Sequence, residues 1–280
     1  MGLLPYAEAM LDEPRAGRFA AWGNALLAGL VSPDEAATRA VADDASHRVV
    51  ELPGEPGPVG LTLAFGRLRA LGVAGLRIAL PAPGHPLGLC GPPEFNERAL
   101  EAGEAVLAAG APGRAAGADT ALGLIPEVSA AGPAGDVLTQ VVWRCVPVRQ
   151  APPADVPSLG EAERELNEVL RETTAALMTL DVAGAGAATR ARLDAYRARM
   201  ERGRQLLAPG YPPRAARVLE LAQRVAGLVE LAGGGDHGGA VSAAEIAERD
   251  RLLRPVERAA RRARVAAYNA YAEELERQRG

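Results

Sequence analysis

Apolar residues recur every three or four positions near the start of the chain, which is the spacing of one face of an α-helix. The residues on this face are Phe19, Trp22, Leu26 and Leu30. A Ser-Pro-Asp-Glu stretch then begins at Ser32 and has the pattern of a helix capping box, with proline at the first helical position. We therefore expect two short helices before residue 46.

A strand, a helix and a second strand are expected next. Residues 47–52 are rich in β-type residues and are followed by a turn of glycine and proline. Residues 61–72 have helical spacing and end in glycine, and residues 76–81 form the short apolar run of a buried strand. Beyond the loop that follows, a further helix is expected, with an apolar face made of Phe95, Ala99, Ala102 and Val106.

The last β-type segments of the N-terminal half predict a hairpin. Residues 121–128 and 136–148 are separated by a loop of small residues, Ser-Ala-Ala-Gly-Pro-Ala-Gly. Together with the preceding elements they define a small mixed α/β domain over residues 1–150. This domain should contain about four short strands and several helices.

From residue 158 onward, every segment has helical spacing. Four consecutive stretches each carry a narrow apolar seam, and turns rich in glycine and proline separate them. The second stretch has its seam at Leu193, Tyr196, Met200, Gly203 and Leu207. Short turns between such helices favour antiparallel packing. We therefore expect an α+β protein in which the N-terminal domain, a linker at 151–157 and an antiparallel four-helix bundle at 158–280 follow one another.

The composition indicates a bacterial protein from a GC-rich genome. All 31 basic residues are arginine, and Ala, Gly, Pro and Arg, whose codons are rich in G and C, are abundant. No apolar run reaches the ~18 residues that a membrane-spanning helix needs. The first residues also lack the pattern of a secretory signal. We expect a cytoplasmic location and no membrane contact.

Charge and cysteine content argue against several functional classes. The net charge is −4, with 11 arginines against 17 acidic residues up to residue 156. No strong general attraction to nucleic acid is therefore expected. Two cysteines provide neither a disulfide framework nor the four paired ligands of a structural zinc site. We expect no metal site and no cofactor.

The first candidate for a ligand site is the proline-rich loop at 82–93, because loops that leave the ends of strands in α/β sheets often bind ligands. The candidate ligand contacts are Gly84, Gly88, Gly91 and Asn96. Cys90 and His85 are the candidate catalytic residues, since a thiol near a helix start ionises more readily. The alternative, which we favour, is a stiff connector in which Cys90 fills a small apolar space.

Two helices carry charged side chains at the same spacing of three, four and three positions. The helix after the loop has Glu94, Glu97, Glu101 and Glu104. The last helix has Arg251, Arg254, Arg258 and Arg261. Each row is consistent with a solvated helix face. The matching spacing allows a further hypothesis, in which the two rows bind each other within the chain or across a dimer.

No motif in the chain specifies a reaction. We favour a non-catalytic protein that acts by protein–protein contact or by self-association of its helical bundle. The first alternative is an enzyme or ligand-binding protein with its site in the loop at 82–93. The second alternative is nucleic-acid binding by the arginine row, which would require an affinity that falls steeply with salt.

Overall fold

Two compact units make up the chain. The computed structural model describes residues 13–110, 120–133, 137–149, 154–179, 208–233 and 243–279. The sheet unit consists of Pro14–Val156, Leu207–Pro212 and Tyr268–Gly280. The helical unit consists of Met1–Glu13, Pro157–Leu206 and Pro213–Ala267. The end of the chain thus belongs to the sheet unit, while the domain and linker boundaries expected from the sequence stay predictions.

In the described part of the sheet unit there are a six-stranded sheet and four helices that belong to this unit alone. The helices are α1 (Arg15–Leu27), α2 (Pro33–Val41), α3 (Leu61–Ala70) and α4 (Pro93–Ala102). The strands are β1 (Ser46–Val50), β2 (Val59–Gly60), β3 (Val73–Ala79), β4 (Ala105–Gly110), β5 (Thr120–Ala131) and β6 (Leu138–Arg149). Their order across the sheet is β2-β1-β6-β5-β4-β3. Strands β1 and β6 are parallel, and all other neighbours are antiparallel.

The strand number of about four expected from the sequence was wrong, because β2 and β4 were missed. Strand β2 has only two residues and lies in a segment rich in glycine and proline, so it has no alternating pattern. Strand β4 was read as the end of a helix. That helix stops at Ala102, because Gly103 adopts a left-handed conformation with φ of 73° that ends it. Val106 therefore lies in a strand.

The sheet is covered by different helices on its two faces. On one face, the ring of Phe19 from α1 lies 4.7 Å from the ring of Phe65 in α3 and 4.9 Å from that of Trp143 in β6. On the other face, Phe95 of α4 packs directly on the backbone of Gly123 in β5. Small residues of β3, β4 and β5 surround Phe95 there. Successive strand residues point to opposite faces, so both layers draw on the same strands.

The outer edge of β3 is closed by two buried asparagines. Asn24 of α1 forms a pair of hydrogen bonds with the backbone N–H and carbonyl of Leu76. Asn269, from the end of the last helix, does the same at Ile78. Ala272, one turn further on, packs closely on Gly75, because a side chain at Gly75 would lie only 3.1 Å from the Ala272 Cβ. The edge is therefore hydrogen-bonded by side chains instead of by another strand.

The helical unit is described for three helices: α5 (Leu159–Thr179), α6 (Pro213–Gly233) and α7 (Ala243–Arg279), the last of which ends in the sheet unit. The capping box at the start of α5 is present, because the Ser158 hydroxyl accepts the Glu161 N–H at 3.3 Å.

The second helix of the expected bundle, with its seam at 193–207, lies outside the described residues. The four-helix bundle is therefore not confirmed, and the fold is mixed α/β. None of these described helices is both long and apolar enough to cross a membrane.

Candidate functional site

The loop at 82–93 is folded back on itself in a tight turn. The backbone N–H of Ala82 donates to the carbonyl of His85 at 2.9 Å, and the N–H of His85 donates to Ala82 at 2.8 Å. Gly84 supplies the positive φ of 79° that this turn needs. The N–H of Leu80 donates to the carbonyl of Leu87 at 3.1 Å, and Leu87 is buried. The loop is thus held by regular backbone bonds.

The other residues predicted to bind a ligand, Gly88, Gly91 and Asn96, contact neighbouring atoms of the protein itself. A side chain on Gly88 would meet the Ile78 carbonyl oxygen at 2.8 Å, so the glycine allows the loop to pack on β3. A side chain on Gly91 would meet the ring of Phe95. Asn96 binds Gly91 in both directions, accepting its N–H at 3.1 Å and donating to its carbonyl at 3.0 Å. Asn96 therefore fixes the start of α4.

Cys90 and His85 occupy different parts of the loop. His85 is half-buried at the tight turn. Cys90 is half-buried too, and it packs together with Val146 against the core cluster under α4. This packing is the arrangement expected of a connector whose cysteine fills a small apolar space. The ligand-binding and catalytic hypotheses for this loop stay predictions.

A second polar cluster, which the sequence reading missed, lies around Asp44. Its carboxylate accepts hydrogen bonds at 2.9 Å from Arg15, Arg18 and His47. The other ring nitrogen of His47, Nδ1, accepts the indole N–H of Trp143 at 3.2 Å. Because Nδ1 is an acceptor, the proton of the neutral ring is on Nε2, which donates to Asp44.

This cluster is largely buried, with the Arg15 side chain 27% exposed at its margin, and the Asp44 carboxylate is fully hydrogen-bonded. The side chain of Asp44 is 7% exposed and that of His47 is not exposed at all. Burial by itself raises the pKa of Asp44, but hydrogen bonds from His47 and Arg15 and the charges of Arg15 and Arg18 outweigh it. The pKa of Asp44 therefore lies well below its usual range. The cluster joins α1, β1 and β6, so its direct effect is to hold these elements together.

The sequence contains only weak signals for this cluster. Arg15 and Arg18 are three residues apart on α1, and Asp44 and His47 are three residues apart at the start of β1. Each pair alone resembles a surface pair. Trp143, which completes the cluster, is almost a hundred residues away and is fully buried. Only the fold brings the three segments together.

The acidic row is shorter than the sequence suggested. Glu94, Glu97 and Glu101 lie on α4 and are exposed. Glu104 lies beyond the end of α4, and its carboxylate accepts the backbone N–H of Ala16 at 2.7 Å. A carboxylate at the first turn of α1 satisfies an unpaired N–H and matches the positive end of the helix dipole. Glu104 thus has a structural role.

The arginine row lies on α7 within the helical unit. Arg251, Arg254 and Arg258 are exposed, whereas the seam residues Leu253, Val256 and Ala260 are buried. Arg261 forms an ion pair with Glu257 at 2.7 Å, and the neighbouring Arg262 binds Glu165 of α5 at 3.1 Å. Part of the row therefore stabilises the helical unit itself. Docking between the arginine row and the acidic row stays a hypothesis.

Three of the large apolar side chains that are exposed in the sheet unit lie at the end of the β5–β6 hairpin. We call residues 127–133 and 137–140 the hairpin arm. Val128 is 47% exposed, Val137 54% and Leu138 57%. Apart from Thr139, every residue of the arm is exposed. At its base, Arg144 of β6 forms ion pairs with Glu127 at 2.8 Å and with Glu51. This surface could not be recognised from the sequence, because its residues alternate like those of any hairpin.

The described ranges contain no group of three or more His, Cys, Asp or Glu side chains that could hold a metal ion.

The fold defines a mixed α/β protein with a six-stranded sheet and a largely helical C-terminal part. Family models match its two parts: the N-terminal domain of Rv1486c-like proteins at residues 16–157 and their C-terminal domain at residues 160–265. The chain belongs to the family of Rv1486c-like proteins.

Its relatives are mycobacterial proteins. The uncharacterized protein Rv1486c of Mycobacterium tuberculosis is 31% identical over 274 residues, which cover 89% of this chain and 94% of that protein. The uncharacterized protein ML1804 of Mycobacterium leprae is 31% identical over 205 residues, covering 70% of this chain and 67% of that protein. None of these names assigns an activity, which agrees with the lack of a reaction motif in the sequence. No solved structure matches the chain.

Proposed function

We propose that the protein is a non-catalytic cytoplasmic protein that acts by binding another protein chain, and that the hairpin arm is its contact surface. The observation that supports this proposal is that Val128, Val137 and Leu138, each about half exposed, all lie on the arm, with Val128 and Leu138 on its opposite faces. Exposed apolar side chains that occur singly are ordinary on protein surfaces, whereas a group of them on one element is typical of a binding site.

The arm is also preorganised for binding. Its two strands are paired from Thr120 with Arg149 to Ala131 with Leu138. The ion pair between Arg144 and Glu127 links the strands at the base of the arm. A surface that is already ordered loses less conformational entropy on binding than a flexible loop does. The arm can thus bind a partner without refolding.

Site-specific photo-crosslinking in the native host tests the proposal. A photoreactive amino acid is placed at Leu138 on the arm, and in a separate variant at Leu63 of α3, which is 52% exposed and serves as the matched control. We expect discrete adducts of defined mass from position 138 and none from position 63. If position 138 gives no adduct, or if the two positions give the same adducts, the arm is not a contact surface.

A second candidate surface is electrostatic. Within the described ranges, the carboxylates of Glu94, Glu97 and Glu101 form no ion pair, and neither do the guanidinium groups of Arg254 and Arg258. We propose that these rows attract oppositely charged protein surfaces. Replacing Arg254 and Arg258 by glutamate should then weaken association at low salt and leave it unchanged at high salt. Association that is equal at both salt concentrations would exclude this candidate.

For the C-terminal part, we propose the antiparallel four-helix bundle that the sequence pattern favours. Two ion pairs within the helical unit support it: Arg214 of α6 with Glu163 of α5 at 2.8 Å, and Arg262 of α7 with Glu165 of α5 at 3.1 Å. Both α6 and α7 therefore contact α5. Double-cysteine crosslinks between α5 and residues 193–207 would test whether the second predicted helix packs beside α5.

A further inference from the structure

Two edges of the sheet are protected against pairing with another strand. On β3, Asn24 and Asn269 fill the backbone hydrogen bonds of the outer edge. Strand β2, at the opposite end of the sheet, is only two residues long. Covering an edge and keeping it short are two means by which proteins prevent unwanted strand addition.

The outer edge of β5 has neither protection along the hairpin arm. Strand β4 pairs with β5 only at Leu122–Leu124, so residues 127–131 extend beyond β4. No other described strand lies along this part of β5. Residues 128–131 read Val-Ser-Ala-Ala and include no proline and no charge, and all of them are exposed. This stretch can therefore accept a further strand.

We propose that the added strand is β5 of a second copy of this chain, paired antiparallel around Ser129, so that the two sheets become continuous. This inference rests on the proposed function of the arm as a contact surface. In such a two-fold pairing, each Ser129 lies opposite the other, and Val128 of one copy lies opposite Ala130 of the second copy. Each contact occurs twice, as a symmetric dimer requires.

The charges on the arm favour this arrangement. Antiparallel pairing around Ser129 places Glu127 opposite Ala131 of the second copy. The two glutamates are then separated by four residues along the strands, or ~13 Å, which exceeds the screening length of ~8 Å at physiological salt. Glu127 is also paired with Arg144 in its own chain. Parallel in-register pairing would instead place the two glutamates side by side, so the edge is self-complementary only in the antiparallel sense.

Charge substitution at Ser129 tests this pairing, because each new charge would lie directly opposite its copy. The full-length protein is studied by sedimentation velocity at rising concentration. We expect the wild type to dimerise, and the variants Ser129→Lys and Ser129→Asp each to dimerise at least about tenfold more weakly. An equimolar mixture of the two variants should dimerise again. The matched controls are Thr62→Lys and Thr62→Asp on the exposed surface of α3, which should dimerise like the wild type.

The outcomes separate this inference from the proposed function. If the wild type dimerises but the Ser129 variants dimerise equally well, the antiparallel pairing is wrong, while the arm can still be a contact surface. If the wild type stays monomeric throughout and position 138 crosslinks to a different protein, the second copy is the wrong partner. If the wild type stays monomeric and position 138 gives no adduct, both proposals fail.

Discussion

The side-chain amide of Asn269 binds both backbone groups of Ile78. Its Oδ1 atom accepts the Ile78 N–H at 2.7 Å, and its Nδ2 atom donates to the Ile78 carbonyl at 3.1 Å. Both residues are fully buried. The end of the chain thus replaces a neighbouring strand at β3, and a segment near residue 270 completes a sheet that is otherwise built from residues before 150.

Replacing Asn269 by alanine should destabilise the sheet unit. The substitution leaves a buried N–H and a buried carbonyl without partners, which costs about 2–4 kcal/mol in the free energy of unfolding. Trp22 and Trp143, the two tryptophans of the chain, both lie in the sheet unit. Urea unfolding followed by tryptophan fluorescence therefore reports on this unit.

Thr62→Ala is the matched control for this experiment. Thr62 is exposed on α3, in the sheet unit on which the tryptophans report. Its loss should change the free energy of unfolding by less than about 0.5 kcal/mol. Equal effects of the two substitutions would show that the edge of β3 does not depend on Asn269.

The Asp44 cluster predicts a dependence of stability on acid. The pKa of Asp44 is lowered in the folded state, so its ionised form stabilises the fold above the unfolded pKa of ~3.9. This contribution is lost as the pH falls towards the lower folded pKa. Asp44→Asn should therefore cost about 3 kcal/mol at neutral pH, because it leaves Arg15 and Arg18 without their carboxylate.

The dependence of stability on pH shows whether Asp44→Asn acts by removing the ionised carboxylate or by disturbing the packing. The difference in free energy of unfolding between the wild type and Asp44→Asn should be constant above about pH 5 and should shrink below about pH 4. Glu97→Gln, at an exposed position in the middle of α4, should show almost no difference at any pH. If the difference in free energy of unfolding between the wild type and Asp44→Asn is as large below pH 4 as at neutral pH, the ionised Asp44 carboxylate is not the origin of the stabilisation.

The two thiols should differ in reactivity. Burial, together with the charge of Glu51, raises the pKa of Cys145 to about 12. At pH 8 only ~0.01% of this thiol is ionised, so alkylation of the native protein should modify Cys90 alone. Mass spectrometry of the native and the unfolded protein counts the modified thiols. Modification of both thiols at similar rates in the native protein would show that β6 is not packed as described.

The same labelling tests the catalytic hypothesis for the loop at 82–93. A reactive Cys90 would be alkylated with a pH midpoint well below the ~8.5 of a free thiol. A connector would show a midpoint at or above that value. Cys90→Ala identifies the signal, because it should abolish modification of the native protein.

The packing of the loop on β3 predicts a large difference between two glycines. Both have positive φ, 102° at Gly88 and 79° at Gly84. A methyl group at Gly88 would collide with backbone atoms of Ile78 and Ala79, whereas one at Gly84 would enter open space. Gly88→Ala should therefore cost more than about 2 kcal/mol in stability and Gly84→Ala about 1 kcal/mol. Equal costs in urea unfolding would mean that the loop does not rest on β3.

Local patterns predicted much of the sheet unit. The helix start at Ser32 was recognisable because its capping signal lies within four residues, and the hydroxyl does accept the Glu35 N–H at 3.1 Å. The hairpin was recognisable from its two β-rich runs. Strand β4 was not, because Ala105–Gly110 consists of small residues whose preference for a helix or a strand is settled by the tertiary structure.

The contacts between distant segments could not be predicted. Glu104 was assigned to an acidic row because its spacing fits, but it binds Ala16, which is 88 residues away. Asn269 and Ile78 are 191 residues apart, and nothing in either local sequence indicates their pairing. Exposure of the hairpin arm depends equally on where β4 stops. A single sequence carries no direct signal for such long-range relations.

The central claim, that the arm pairs with another chain through β5, is tested most directly by amide hydrogen exchange of residues 127–131 at low and at high protein concentration. We expect exchange that is fast in dilute solution and clearly slower in concentrated solution, because strand pairing protects edge N–H groups. The N–H of Ile78, bound by Asn269, should be protected equally at both concentrations and serves as the internal control. Arm amides that exchange at the same fast rate at both concentrations would contradict the claim.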